Sequence, residues 1–238
     1  MEDSLNNKIK AILFDLDGTL LDVDLDKFIS HYLRLLAESV AHIIPPKKFI
    51  NKIIKASQEV EKNDGRRTNE DVYLEAFFPV EGYCREEIEP FFNEFYKKNF
   101  SKLRQYTKRK PEAREVVQTA FDKGYDVVIA TTPLLPATAI EQRLEWAGVA
   151  DFPYRLITTI ENSCATKSLS HLIYYEQILD KISRPANACL MVGDEEKDLI
   201  SKRLGMNTFF IEGKNLEIAN GIPEPTYKGS LADLIYLL

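Results

Sequence analysis

The sequence predicts an α/β protein built on a doubly wound, mostly parallel, Rossmann-like sheet of five or more strands, with an all-helical segment inserted near its start. Two observations carry that expectation. Along the C-terminal half, short apolar runs bounded by turn residues alternate with segments of helical periodicity, the pattern of buried parallel strands covered by helices. Between Asp22 and Tyr106, by contrast, the helical period persists with almost no strand-like run, so this stretch reads as an insertion. The division expected is an α/β core over residues 1–21 and 107–238, with a helical cap over residues 22–106.

Taken in order, Ala11-Ile12-Leu13-Phe14 is apolar throughout and ends at Asp15-Leu16-Asp17-Gly18-Thr19, so it reads as a buried strand and its closing turn. In the insert, Leu25, Phe28, Ile29, Tyr32, Leu33, Leu36 and Val40 share one helix face. Asp22, Asp24 and Asp26 precede or open that helix. They imitate a calcium loop, but Lys27 stands where glycine is needed and Leu33 where a bidentate glutamate is needed, so a hinge and helix cap is the better reading. Asn63-Asp64-Gly65 and Phe78-Pro79 with Gly82 mark loops, and Ile88, Phe91, Phe92, Phe95, Tyr96 and Phe100 form a second apolar face for packing. Beyond a short basic turn at Lys108-Arg109-Lys110, Pro111 opens a helix through Val116, Val117, Ala120 and Phe121 that stops at Gly124. Strands are expected at 125–130, 155–158, 188–192 and 208–211. Helices are expected at 135–147, closed by Gly148, at 168–179, and at 199–204, stopped by Gly205.

The chain has 238 residues, 45% of them hydrophobic, which is enough for a sizeable core. A net charge of −6 argues against nucleic acid as a partner, since phosphate-backbone affinity comes from clustered Lys and Arg. Cys84, Cys164 and Cys189 are odd in number and lack metal-ligand spacing, as do His31, His42 and His171, so neither a disulfide framework nor a zinc site is expected. No apolar stretch approaches membrane-spanning length and the polar N-terminus lacks a signal-peptide pattern. A soluble protein in the reducing cytoplasm, without a membrane partner, is the expectation.

Four signals then fall in order, each just past an expected strand or at an expected helix start: Asp15 with Asp17, Thr131, Lys167, and Asp194 with Asp198. In a parallel sheet with right-handed crossovers these positions meet along one edge. Thr131, between a strand and a helix, offers its hydroxyl and the helix-start N–H groups to a phosphate, although an ordinary N-cap would look the same. Lys167 opens a helix, the unfavourable end for a cation unless an anion is near. Asp198, four residues after Asp194, shares its helical face if the helix has begun. Arg66 and Arg67 are placed to reach from the insert toward an anionic tail.

This order resembles the haloacid dehalogenase superfamily of aspartate-nucleophile phosphohydrolases, over residues 1–21 and about 107–238. The insert corresponds only in position and helical character. The resemblance implies a phosphatase-type hydrolase in which Asp15 attacks phosphorus and Asp17 serves as acid and then base. Mg²⁺ is implied as cofactor, held by Asp15, the backbone carbonyl of Asp17 and Asp194, with Asp198 orienting those ligands. Thr131, Thr132 and Lys167 are implied to bind the phosphate of a small phosphorylated substrate. Superfamily dehalogenases lack an acid at the position of Asp17, so its presence points to phosphoryl chemistry. Two features depart from the pattern: Thr132 stands where Asn is frequent, and Lys167-Ser168-Leu169-Ser170 lacks the prolines that frequently follow the lysine. A sugar-phosphate mutase and a non-catalytic binding protein are the alternatives on the same fold.

Overall fold

The computed structural model describes residues 8–213 and 218–238; the polar N-terminal stretch read above begins with residues 1–7, which lie outside them. Four fully buried apolar residues make Ala11–Phe14 the strand β1. The chain continues as β2 (Leu21–Val23), α1 (Leu25–Ser39), α2 (Pro46–Glu61), α3 (Asn69–Phe77) and α4 (Arg85–Glu94). A π-helical turn (Phe95–Asn99) and a 3₁₀ segment (Phe100–Tyr106) lead to β3 (Thr107–Arg109). Then come α5 (Ala113–Asp122), β4 (Asp126–Ile129), α6 (Ala137–Ala147), β5 (Leu156–Ile157), α7 (Ile173–Ile182) and β6 (Cys189–Gly193). The short α8 (Glu196–Leu199) passes into a 3₁₀ turn (Ile200–Leu204), followed by β7 (Asn207–Ile211), β8 (Tyr227–Gly229) and α9 (Leu231–Leu237).

Six parallel strands form one sheet in the order β5-β4-β1-β6-β7-β8. Successive strands run outward from β1 in one direction and then, from β6, in the other, so the order reverses between β1 and β6. Ligands bind at such a switch point. The register places Phe14 beside Ile129 on one side and Val192 on the other, and Asp15 N donates to Val192 O at 2.9 Å. Alternation along β1 sends Ile12 and Phe14 to one face, packed with α5, α6 and α9, and Ala11 and Leu13 to the other, under Tyr174, Tyr175 and Ile178 of α7. Among the described residues no helix is long and apolar enough to cross a membrane.

Between β2 and β3 the chain is helical, as its period predicts, and Asp24 caps α1 by accepting from Lys27 N at 3.3 Å. What the sequence does not reveal is the ribbon that carries this insert: β2 and β3 pair antiparallel, Leu21 opposite Arg109 and Val23 opposite Thr107. Three residues each, one strand wholly polar, are too short and too mixed to show an alternating pattern. The basic cluster is therefore not a solvated turn, since Lys108 and Arg109 belong to β3. The aromatic face packs as expected, with Phe95 and Phe100 fully buried and Phe100 stacked on Trp146 of α6 at 5.5 Å between centroids.

The insert also grips the loops at the strand ends. Asn69, at the start of α3 and fully buried, donates its amide to Pro133 O (3.2 Å) and Ala165 O (3.1 Å) and accepts from Asn63 Nδ2 (2.8 Å). Its backbone N–H and that of Glu70 donate to Ser163 O and Ile160 O. Replacing Asn69 by Ala leaves buried carbonyls unpaired, so a loss of about 2 kcal/mol is expected. Urea unfolding followed through Trp146, the single tryptophan, measures it, and an unchanged midpoint contradicts the contact.

Candidate active site

The site begins where β1 ends. Asp15 is the first residue past the strand, and Lys167 Nζ lies 2.6 Å from Asp15 Oδ1 and 2.6 Å from Asp198 Oδ1. All three are buried, with Lys167 only 4% exposed. Burial by itself lowers the lysine pKa, but the charges of Asp15 and Asp198 outweigh it and hold the ammonium well above its ordinary range. Burial conversely pushes the Asp198 carboxyl up, to about 7, against the pull of Lys167. Asp194, just past β6, accepts from Thr19 Oγ1 at 3.3 Å. Carboxylate oxygens of Asp15, Asp194 and Asp198 lie within 4.8 Å of one another. These carboxylates form an all-oxygen donor set, which suits a hard divalent cation.

Two glycines make that crowding possible. Gly18 has φ +85°, and a Cβ on it would overlap the carboxylate of Asp194. A Cβ on Gly193, the last residue of β6, would overlap the carboxylate of Asp198. Asp198 reaches the cluster for a reason other than the one expected. α8 starts at Glu196, so Asp194 is not on the helix and the two do not share a helical face. Asp198 is instead the third residue of α8, where its Oδ2 accepts from Glu195 N at 3.1 Å in a capping box, leaving Oδ1 for Lys167.

Two further expectations need correction. Thr131 is buried past the end of β4, and its carbonyl accepts from Thr158 Oγ1 (2.8 Å) and Tyr174 OH (2.9 Å). It does not sit at a helix start. Pro133 and Pro136 disfavour helix in the residues before them, so α6 begins at Ala137, whose N–H is taken by Glu161 at 3.0 Å. Nor does Lys167 open a helix: α7 starts at Ile173, because Ser168 Oγ accepts from Ser170 N at 3.1 Å and closes a local turn instead. Thr132 lines a cavity of about 650 Å³ between insert and core.

Asp17 lines the same cavity, and its carboxylate is held by a residue the sequence does not mark. Arg143 of α6, 3% exposed, pairs with Asp17 Oδ2, packs its guanidinium 5.9 Å from the Phe28 ring of α1, and has its pKa pulled down by burial to about 10. Flanked by Glu141, Gln142 and Glu145, it reads in sequence as part of a solvated face. Among the described residues, Asp17 Oδ1 and Arg143 Nε have no hydrogen-bond partner. Lys110, beyond β3, donates to Gly18 O and lies 3.4 Å from Asp22. It lines a second cavity, of about 670 Å³, with Gly18 and Asp194. Arg66 and Arg67 do not face either cavity: they pair with Asp64 (3.3 Å) and Glu75, and Arg66 is 86% exposed.

If the fit around Asp198 is as tight as described, Gly193→Ala must displace its carboxylate and the lysine behind it. A loss of about 2 kcal/mol is expected from overpacking, read as a lowered urea midpoint, whereas Gly213→Ala, where a Cβ meets nothing, leaves the midpoint in place.

Comparison with known proteins places this arrangement. No curated protein matches the sequence. Among solved structures, the fold resembles a HAD phosphatase from Thermococcus onnurineus, 17% identical, covering 96% of this chain and 97% of that one with a TM-score of 0.60. It also resembles a predicted phosphoglycolate phosphatase from Haemophilus somnus 129PT (17% identity, 97% and 98% covered, TM-score 0.56). L-2-haloacid dehalogenase from Xanthobacter autotrophicus, with chloropropionic acid covalently bound, is similar at 14% identity, 96% and 98% coverage and a TM-score of 0.56. At such identities these likenesses speak for the fold alone. The family model for haloacid dehalogenase-like hydrolases matches residues 9–203, a span that holds Asp15, Lys167, Asp194 and Asp198, and the chain belongs to that family.

Proposed function

We propose that this chain is a Mg²⁺-dependent phosphatase of the cytoplasm that hydrolyses a small phosphorylated metabolite through an aspartyl-phosphate, with residues 22–106 acting as the cap over a core of residues 1–21 and 107–238. The observation that carries this reading is Lys167, seated 2.6 Å from both Asp15 and Asp198 inside a cluster of three carboxylates. A lysine there neutralises a carboxylate that must approach a phosphate dianion, which otherwise repels any anionic nucleophile.

Asp15 and Asp194 are the ligands we assign to Mg²⁺, together with the Asp17 backbone carbonyl. Their oxygens fit a hard cation, and Gly18, by lacking a Cβ, leaves Asp194 room. When bound, the ion withdraws charge from the phosphoryl oxygens. Asp198 keeps Lys167 in place through one oxygen while its other is fixed by Glu195 N. Asp15 attacks phosphorus in line: the Asp15 O–P bond forms, the bond from phosphorus to the substrate oxygen breaks, and Asp17 gives that oxygen its proton. Asp17 then takes a proton from water, which attacks phosphorus, releases inorganic phosphate and restores Asp15. Arg143 fixes the direction of the Asp17 carboxylate. Thr131 and Thr132 stand at the same sheet edge, where a phosphoryl group would be received.

With Mg²⁺ added, purified protein is expected to hydrolyse acetyl phosphate with stoichiometric release of inorganic phosphate, to stop in EDTA, and to recover on repletion. Asp15→Asn is expected to lower kcat more than about 10³-fold, as removal of a nucleophile does. Isomerisation of a hexose monophosphate, primed with its bisphosphate, without released phosphate would assign a mutase, and chloride release from 2-chloropropionate a dehalogenase; either contradicts the phosphatase reading. Absence of any turnover returns the chain to the non-catalytic alternative.

A further inference from the structure

The cavity over Asp17 is lined by both core and insert. On the core side Asp17, Thr132 and Arg143 stand beside apolar residues such as Leu135 and Ile160, and on the insert side hydrocarbon and aromatic side chains, among them Tyr32, Leu36, Ile53, Tyr73, Phe92 and Tyr96, are interspersed with acidic ones. Ile29 and Ile54 are 46% and 42% exposed, yet both line it, so much of the apolar surface that these helices leave uncovered faces this space rather than bulk water. At about 650 Å³ it is of the size that encloses a ligand of many heavy atoms, far larger than a two-carbon acid or a phosphoryl group alone.

Its charges point the same way. Asp17, Glu61, Glu70, Glu89 and Glu161 line the cavity against two cations, Arg85 and Arg143. Both cations are already paired, Arg85 with Glu89 at 2.9 Å and Arg143 with Asp17. Partial burial, and then the neighbouring charge of Glu161, raise the pKa of Glu70, which marks a wall where negative charge is already crowded. A carboxylate or second phosphate entering here would meet repulsion and, among the described lining residues, no unpaired cation.

We propose that the substrate is the phosphomonoester of a small-molecule alcohol with an aromatic or long aliphatic body that carries no second negative charge, that body seated against α1, α2 and α4 and its ester oxygen beside Asp17. The proposal rests on the phosphatase reading above and adds the substrate class to it. The walls exclude phosphoglycolate-like and phosphosugar-acid substrates by charge and accept aromatic or long aliphatic bodies by burial of their surface.

Matched para-substituted phenyl phosphates test this, because the leaving oxygen stays nearly constant while the tail changes. With Mg²⁺ present, kcat/KM for 4-ethylphenyl phosphate and for 4-(2-aminoethyl)phenyl phosphate is expected to exceed that for 4-(2-carboxyethyl)phenyl phosphate at least tenfold, and that for phosphoglycolate by more. Glu61→Lys, on an exposed side chain of the wall, is expected to narrow the gap between the ethyl and carboxyethyl esters at least threefold. Ile54→Asp is expected to lower the ratio of 4-ethylphenyl phosphate to acetyl phosphate turnover at least tenfold, mainly through KM. Equal or better use of the carboxyethyl ester, or an unchanged ratio in both variants, overturns the substrate class while acetyl phosphate turnover leaves the phosphatase reading standing. Failure to turn over acetyl phosphate and every ester withdraws both.

Discussion

The arrangement at the sheet edge depends on one ammonium group. Lys167 arrives from a loop without regular structure and lies between Asp15 and Asp198, carboxylates that come from opposite sides of the sheet's switch point. Without that charge, the buried carboxylates of Asp15 and Asp198 would lose the cation they share, leaving two desolvated acids close together. With it, Asp15 is neutralised on one oxygen, and Asp198 is fixed on both of its oxygens. The surrounding backbone is shaped to this pair: Gly193 omits the Cβ that would strike Asp198, Gly18 omits the one that would strike Asp194, and the capping box of α8 turns Asp198 inward.

Much of this is legible in the amino-acid sequence. Apolar runs such as Ala11–Phe14 and Cys189–Gly193 leave a parallel strand little alternative, and their closing residues must then share an edge. Asp15 and Asp194 close apolar runs and so stand out by themselves, whereas Lys167 and Asp198, each of a kind usually solvated, stand out only by falling in order with them. The parts that were hidden have a common cause: they are set by tertiary contact rather than by local pattern. Arg143 sits in a polar stretch and is buried only because Asp17 and Phe28 meet it from distant segments. The starts of α6 and α7 shift because prolines and a serine turn override the apolar period, and β8 becomes a strand only beside β7.

Arg143 also joins the two halves of the molecule chemically. Its guanidinium reaches from a core helix to the acid beside Asp15 while lying near an aromatic ring of the insert, so the floor of the large cavity and the orientation of Asp17 are the same set of contacts. A change in how the helices sit over that floor therefore acts directly on the carboxylate. Asn69 anchors the other rim, tying the first turn of α3 to the loops at residues 133 and 160–165.

The paired strands β2 and β3 make the insert's attachment a double strap instead of two independent threads. Sliding one strand past the other by a residue would break the ladder and turn every side chain to the wrong face, so the strap resists shear. Lys110 follows β3 directly and grasps the Gly18 carbonyl, one residue from Asp17. The strand that returns the chain from the helices and the loop that carries Asp17 are thus fastened to each other, so the attachment of the roof and the floor of the enclosure share one contact.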